Sequence, residues 1–335
     1  MPVTLRQQLK VGLYLLKQRL RGRDKFPLVV ELEPLFACNL ACAGCGKIQY
    51  PAHILKMRMS VEQAVAAVEE SGAPVVSIAG GEPLIHPEIH LIVEELVRRK
   101  KFVYLCTNAL LMKKKMHLFR PSPYFAWAVH IDGLGERHDE SVCQQGVFDA
   151  AVEAMREAKA RGFRVYTNTT FFTQDTPENV RAVLDYLNDE LKVDGMMISP
   201  GYAYEKAPDQ EHFLPVDRTR WLFREAFKGG RRRRWRLNHT PLYLDFLEGK
   251  VDFRCTAWGI PSYSIFGWQR PCYLLGDGYT RTYRELVETT DWSQYGRQSG
   301  NPKCANCMAH CGYEPTAVLA TMSSLKESIR AIVGH

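Results

Sequence analysis

Between residues 28 and 200 the chain alternates between two hydrophobic periods. Six short runs rich in apolar and β-branched residues read as strands: LVVELEP (28–34), PVVSIAG (74–80), FVYLC (102–106), FAWAVHID (125–132), FRVYTNTTFF (163–172) and DGMMISP (194–200). The stretches between them carry apolar residues every three to four positions and predict helices beginning near Ser60, Pro87, Leu111, Val147 and Pro177. Ser60 ahead of Glu62 and Gln63 is a helix start, and Gly162 stops an Ala- and Glu-rich helix. Strands alternating with helices imply parallel βα units. Six such units predict an α/β fold, a partial (βα)6 TIM-like barrel, with its active site at the C-terminal ends of the strands. Polar residues gather there: Gly80, Gly81 and Glu82 after strand two, Thr107 and Asn108 after strand three, His130 and Asp132 on strand four, Asn168 and Thr170 on strand five, and Ser199 on strand six.

Both flanks break the alternation. Leu5, Leu9, Leu13, Leu16 and Leu20 fall at helical spacing beside a stripe of Arg6, Lys10, Lys17 and Arg21, a basic amphipathic helix. Such a helix either packs its leucines on its own domain, the default expectation, or lies on an anionic membrane. Beyond residue 205 the chain becomes rich in Arg, Trp, Tyr and Pro. The expected organisation is an N-terminal helix (1–27), a barrel core (28–204) and a smaller cysteine-rich C-terminal module (205–335) that caps the substrate. Trp235, Tyr243, Phe246, Trp258, Tyr263, Phe266 and Trp268 in that module suit either a greasy pocket or ordinary core.

The 335 residues, 46% of them hydrophobic, can supply an extensive core. No run approaches the roughly 20 apolar residues that span a bilayer. The start of the chain lacks the apolar core and cleavage site of a signal peptide, so a cytoplasmic protein is expected. A net charge of +7 favours anionic surfaces, but apart from Arg231 to Arg234 the basic residues are dispersed and no nucleic-acid-binding motif accompanies them. Nucleic acid is therefore not an expected partner.

Ten cysteines in a reducing compartment point to metal before disulfides. Cys38, Cys42 and Cys45 share one loop after strand one, Cys255, Cys272, Cys304, Cys307 and Cys311 lie in the C-terminal quarter, and Cys106 and Cys143 stand alone. Thiolates suit zinc or iron-sulfur. A zinc site in the first loop would need a fourth ligand, for which His53 is the close candidate, whereas a 4Fe-4S cluster on three cysteines leaves one iron open to a small molecule.

The CxxxCxxC loop after strand one, followed by Gly80-Gly81-Glu82-Pro83 after strand two, resembles the radical S-adenosylmethionine (SAM) superfamily. The resemblance implies a barrel of the radical SAM type. It implies a 4Fe-4S cluster on Cys38, Cys42 and Cys45, with SAM on the open iron and its methionyl amino group at Gly80, Gly81 and Glu82. Thr107, Asn108, Asp132 and Asn168 then occupy strand ends that commonly face the SAM ribose, adenine or the substrate. The C-terminal cysteines resemble SPASM and twitch modules, implying an auxiliary 4Fe-4S cluster on four of the five, most plausibly Cys255, Cys272, Cys304 and Cys307, with Cys311 as a substitute; a CxxC pair also suits structural zinc.

Over nearly its whole length the chain resembles the hopanoid-biosynthesis radical SAM proteins, the adenosylhopane synthase family, through PLYLDFLEGK, CTAWG, GWQRPCYL and CANCMAHCGYEPTAV. That resemblance implies addition of the 5′-deoxyadenosyl radical to the terminal alkene of diploptene, with Cys106 as the reducing thiol and flavodoxin or ferredoxin as electron donor. A membrane-dissolved substrate also implies weak peripheral contact with the inner face of the membrane. One alternative is a SPASM-type enzyme abstracting hydrogen from a peptide; another is an iron-sulfur electron carrier or zinc-stabilised interaction module.

Overall fold

Six parallel strands carry the first two hundred residues: β1 (Val29–Glu33), β2 (Val75–Ile78), β3 (Phe102–Thr107), β4 (Phe125–His130), β5 (Arg164–Phe171) and β6 (Gly195–Pro200). The computed structural model describes residues 3–203 and 205–333. Each strand pairs in register with the one before it, for example Val29 opposite Val75 and Val75 opposite Phe102. The helices are α1 (Leu5–Leu20), α2 (Ala52–Leu55), α3 (Val61–Ser71), α4 (Ile89–Arg98), α5 (Met112–Lys115), α6 (Glu136–Ser141), α7 (Val147–Ala160) and α8 (Pro177–Asp185). After β6 follow α9 (Val216–Ala226), α10 (Pro241–Leu247), α11 (Tyr283–Thr289), α12 (His310–Ser323) and α13 (Leu325–Val333). The expected alternation of strand and helix is present, and its cap chemistry operates. Ser60 accepts from the Gln63 N–H at 3.2 Å while the Gln63 side chain accepts from the Ser60 N–H at 2.8 Å, a reciprocal capping box.

Period-two alternation sorts the strand residues between two environments. Val30, Leu32, Val76, Ile78, Val103, Leu105, Trp127 and Val129 face the helices in the main core. Val75, Tyr104, Ala126, Ala128 and Tyr166 form a second apolar cluster with Cys106 packed against it, on the face that becomes the barrel interior.

The C-terminal stretch continues the same sheet. Strand β7 (Ser262–Ser264) pairs parallel with β1, and β8 (Gly267–Gln269) and β9 (Tyr279–Thr280) follow antiparallel, giving the order β6-β5-β4-β3-β2-β1-β7-β8-β9. The aromatic residues there are mostly core: Tyr243, Phe246 and Trp268 are fully buried in the main cluster, and of the seven only Trp235 borders the barrel cavity. The Arg231 to Arg234 run is not uniformly solvated either. Arg232 is buried against Asp245 at 2.8 Å and against Glu248, and Arg330 of α13 reaches the other Asp245 oxygen at 2.6 Å.

Helix α1 departs most from expectation. Its leucines do not pack on the domain: Leu5, Leu9, Leu13, Leu16 and Leu20 are 54 to 79% exposed, while Gln7, Leu15 and Gln18 are buried. The inward face of the helix is set by polar anchoring, since the Tyr104 hydroxyl donates to Gln7 Oε1 at 3.0 Å and the Tyr14 hydroxyl to the Pro27 carbonyl at 2.8 Å.

Candidate active site

A cavity of about 1360 Å³ runs along the barrel interior. At the C-terminal ends of the strands it is bordered by Cys38, Cys42 and Cys45 with Gly80, Gly81, Glu82, Thr107, Asn108, His130, Asp132 and Asn168; within the strands by Glu31, Ser77, Tyr104 and Cys106; and beyond Tyr104 by Leu5, Leu9, Leu13 and Leu16 of α1 and Val318 and Met322 of α12. A typical small-molecule pocket is about 300–1,000 Å³, so there is room for two ligands end to end. Of the polar residues expected at the C-terminal strand ends all border the cavity except Ser199, which is buried outside it; His53, the candidate fourth zinc ligand, is exposed on α2 and does not border the cavity.

The cysteine loop is held by the next two strand ends. The Gly81 N–H donates to the Leu35 carbonyl at 3.0 Å and the Glu82 N–H to the Ala37 carbonyl at 2.9 Å. A Cβ on Gly81 would stand 2.0 Å from the Ala37 oxygen, and one on Gly80, at φ +102°, 2.3 Å from the Leu35 oxygen. The glycines therefore permit close approach to the cysteine-loop backbone.

Glu82, buried, accepts from the Thr107 hydroxyl at 2.8 Å, the Asn108 N–H at 2.8 Å and the Leu84 N–H at 3.0 Å. Burial raises its pKa, and those donors oppose the shift. Asn108 in turn donates to Asn39 at 2.8 Å, tethering the residue beside Cys38. Asp132 accepts from the Thr170 N–H at 2.7 Å and sits 2.6 Å from His130 Nε2. Thr107, Asn108 and Asp132 thus have protein partners that account for their polarity.

The three loop thiols affect one another. Burial pushes the Cys38 thiol up to about 11 and Cys42 higher still, with each neighbouring thiolate adding to the shift. Crowded thiols that resist ionisation together are relieved by a cation between them. Cys143, expected to lie apart, is exposed but close enough to Cys42 to contribute to its shift. Cys106 borders the cavity midway, 3.5 Å from the Ser77 hydroxyl; burial pushes it up to about 12, so the group remains S–H at neutral pH.

A second cavity of about 230 Å³ is bordered by all five C-terminal cysteines. Backbone N–H groups point at four of the sulfurs: Ala257 at Cys255, Leu274 and Leu275 at Cys272, Gly296 at Cys304 and Ala309 at Cys307. Such donors stabilise thiolate ligands of iron-sulfur centres. A Cβ at Gly312 would stand 2.8 Å from Cys255 Sγ, so this glycine clears space for that thiol. Cys311, on the first turn of α12, borders both cavities together with Tyr202. Among the described residues no three His, Cys, Asp or Glu side chains converge tightly enough to clasp a single metal ion. Glu31 and Ser77 were not singled out from sequence; their signal is inward parity on β1 and β2, opposite each other in register.

Residues 32–187 match the family model of the Radical SAM superfamily, and residues 196–331 match a domain of unknown function, DUF3463. Residues 32–187 thus carry a radical SAM domain, of a superfamily whose proteins use a 4Fe-4S cluster and SAM. The mycofactocin maturase MftC of Mycobacterium tuberculosis (strain ATCC 25618 / H37Rv) is 27% identical over 154 residues, covering 44% of this chain and 38% of that protein. The GTP 3′,8-cyclase of Peptoclostridium acidaminophilum is 24% identical over 190 residues, 54% of this chain and 58% of that one. The match thus spans well under half the length of the maturase. Among solved structures, Streptococcus suis SuiB bound to S-adenosylmethionine superposes with a TM-score of 0.67 at 16% identity, over 87% of this chain and 74% of SuiB. AdoMet-bound anSMEcpe gives 0.57 at 20% identity, over 80% and 82%. At these identities the likeness establishes the fold: a parallel-stranded partial barrel with a cysteine-rich C-terminal region.

Proposed function

We infer that the protein is an enzyme that adds the 5′-deoxyadenosyl group of SAM to the terminal alkene of diploptene, forming adenosylhopane. The observation carrying this reading is a cavity bordered both by the Cys38, Cys42 and Cys45 loop and by Leu5, Leu9, Leu13 and Leu16 of α1. It suits a polar co-substrate and a long hydrocarbon meeting in the middle. In this reading Cys38, Cys42 and Cys45 hold the SAM-binding 4Fe-4S cluster, and carbonyls of the Gly80 to Glu82 segment receive the methionyl ammonium. A 4Fe-4S cluster held there would supply the electron for reductive cleavage of SAM.

The residues then do three things. Glu82 and Asn108 hold the cysteine loop in place, the barrel wall excludes water, and Cys106 supplies a hydrogen atom. Addition to the alkene leaves a carbon radical on the side chain. Transfer of H from the Cys106 S–H makes the C–H bond and leaves a sulfur radical, which takes back one electron and one proton; a flavodoxin or ferredoxin supplies the electron. Cys255, Cys272, Cys304 and Cys307 would hold an auxiliary 4Fe-4S cluster, supported by the N–H groups aimed at their sulfurs. A substrate dissolved in a bilayer brings the enzyme to the inner face of the membrane, and among the described residues no helix is long and apolar enough to cross it.

A second reading, hydrogen abstraction from a peptide, is favoured by the likeness to SuiB, one structure of which is bound to precursor peptide SuiA, over 92% of this chain. Anaerobic incubation of reconstituted protein with SAM, a strong reductant and diploptene, followed by mass spectrometry of the lipids, separates the two. An adenosyl-hopane adduct supports addition; free 5′-deoxyadenosine with no adduct refutes it.

A further inference from the structure

Helix α1 is turned the wrong way for a helix that ends in water. It buries two glutamines and presents five leucines, and the nearby C-terminal helices add Leu325 (80% exposed) and Ile329 (52%). The two regions are joined: Arg19 donates to the Ser323 hydroxyl at 2.7 Å, and Leu15 packs in one cluster with Val318 and Leu319. Scattered exposed leucines need no explanation, but a helical stripe of five, on a helix that turns two glutamines inward, marks an interaction surface. Its charge selects the partner. Residues 1–23 carry six Lys and Arg and no Asp or Glu, and Arg233 and Arg234, both exposed, border the same cavity as the α1 leucines. An apolar stripe flanked by cations matches the plane of an anionic bilayer, where leucines enter the acyl boundary and cations meet headgroups. The stripe is also the cavity's far rim, since Leu5, Leu9, Leu13 and Leu16 belong to both.

We propose that the exposed faces of α1 and α13 form a docking surface for an anionic lipid bilayer, placing the leucine-lined mouth of the barrel cavity against the membrane. The role of the mouth, passage of an apolar substrate without crossing water, rests on the lipid reading above; the docking itself does not.

The test uses the full reconstituted chain and vesicles of phosphatidylcholine with or without phosphatidylglycerol, free of alkene and SAM, read by co-sedimentation. The perturbation is Leu20→Asp with Leu325→Asp, two side chains on the stripe but outside the cavity lining; circular dichroism and iron content verify folding. Leu91→Asp on α4 is the control, a moderately exposed leucine remote from the stripe in sequence. The native chain is expected to bind phosphatidylglycerol vesicles, more weakly as salt rises. The double variant should bind at least roughly tenfold less, two leucines losing their burial and two anions being added, while Leu91→Asp binds as the native chain does. Absence of binding by the native chain, or equal binding by the folded double variant, overturns the proposal. So does a dimer that the same substitutions dissolve, if no vesicle binding accompanies it, because the stripe is then a contact between two copies. Vesicle binding without conversion of embedded diploptene leaves the docking surface standing and refutes the diploptene reading.

Discussion

Glu31 sits on the interior of β1, bordering the cavity opposite Ser77. Burial pushes its carboxyl up to about 8 from an ordinary 4.5, with Glu33 adding to the shift and Lys47 opposing it. Cys106, Cys311 and Tyr202 also lie within its electrostatic reach. Near neutral pH this wall of the cavity is therefore largely uncharged. A rise of about 3.5 units at about 1.36 kcal/mol each sets an upper limit near 5 kcal/mol on what ionised Glu31 costs the fold; partial exposure to the cavity screens this to about 2–4 kcal/mol. The sign follows from linkage. The native state binds this proton more tightly than the unfolded chain, so the cost is absent below about pH 4.5, grows between 4.5 and 8, and is constant above. Glu31→Gln removes the titration. In anaerobic urea denaturation its stability relative to the native chain should rise by about 2–4 kcal/mol between about pH 5 and about pH 9. Turnover of an apolar substrate should decline above about pH 8 in the native enzyme and hold in the variant. A stability difference that is the same at every pH refutes this reasoning.

Gly81→Ala forces a Cβ against the Ala37 carbonyl and should destabilise the protein by about 2–4 kcal/mol while lowering reconstituted iron; an unchanged melting midpoint and iron content would remove the glycine from loop placement. Cys106→Ala should still cleave SAM and form the new carbon-carbon bond, yet accumulate oxidised, rearranged or unsaturated adduct; saturated product at the native yield excludes the thiol. In cofactor-free protein at neutral pH, Cys106 should alkylate about a thousandfold more slowly than an ordinary cysteine, because its thiolate is scarce. Cys272→Ala should reduce bound iron from about eight to about four per chain while SAM cleavage persists, whereas Cys311→Ala keeps about eight; equal losses in both variants contradict the ligand set.

The barrel was legible because its signals are local. Period-two strands such as PVVSIAG, the Ser60 cap and the Gly162 stop depend on neighbours a few residues away, and each appears where the pattern places it. The cysteine loop and the glycine segment were legible for the same reason. What was not legible depends on distant partners. The leucines of α1 carry no mark of which way they face; that is decided by Tyr104, about a hundred residues on, reaching Gln7. Thr107 and Asp132 look like ligand-binding groups because the sequence hides Glu82 and the Thr170 N–H, which engage them. Strands β7 to β9 are two or three residues long, too short to show a period.

The pairing of β7 with β1 has a consequence for how the chain is made. Glu31 meets Ser262, a partner emerging about 230 residues later. At the usual pace of synthesis that interval is roughly 10–50 s. Throughout it, β1 can be covered by β2 on one side only, and its other row of backbone donors and acceptors faces whatever comes near. A nascent chain in this condition invites strand addition from another copy, so the yield of intact protein should depend on chaperones that shield an early edge until a late strand arrives.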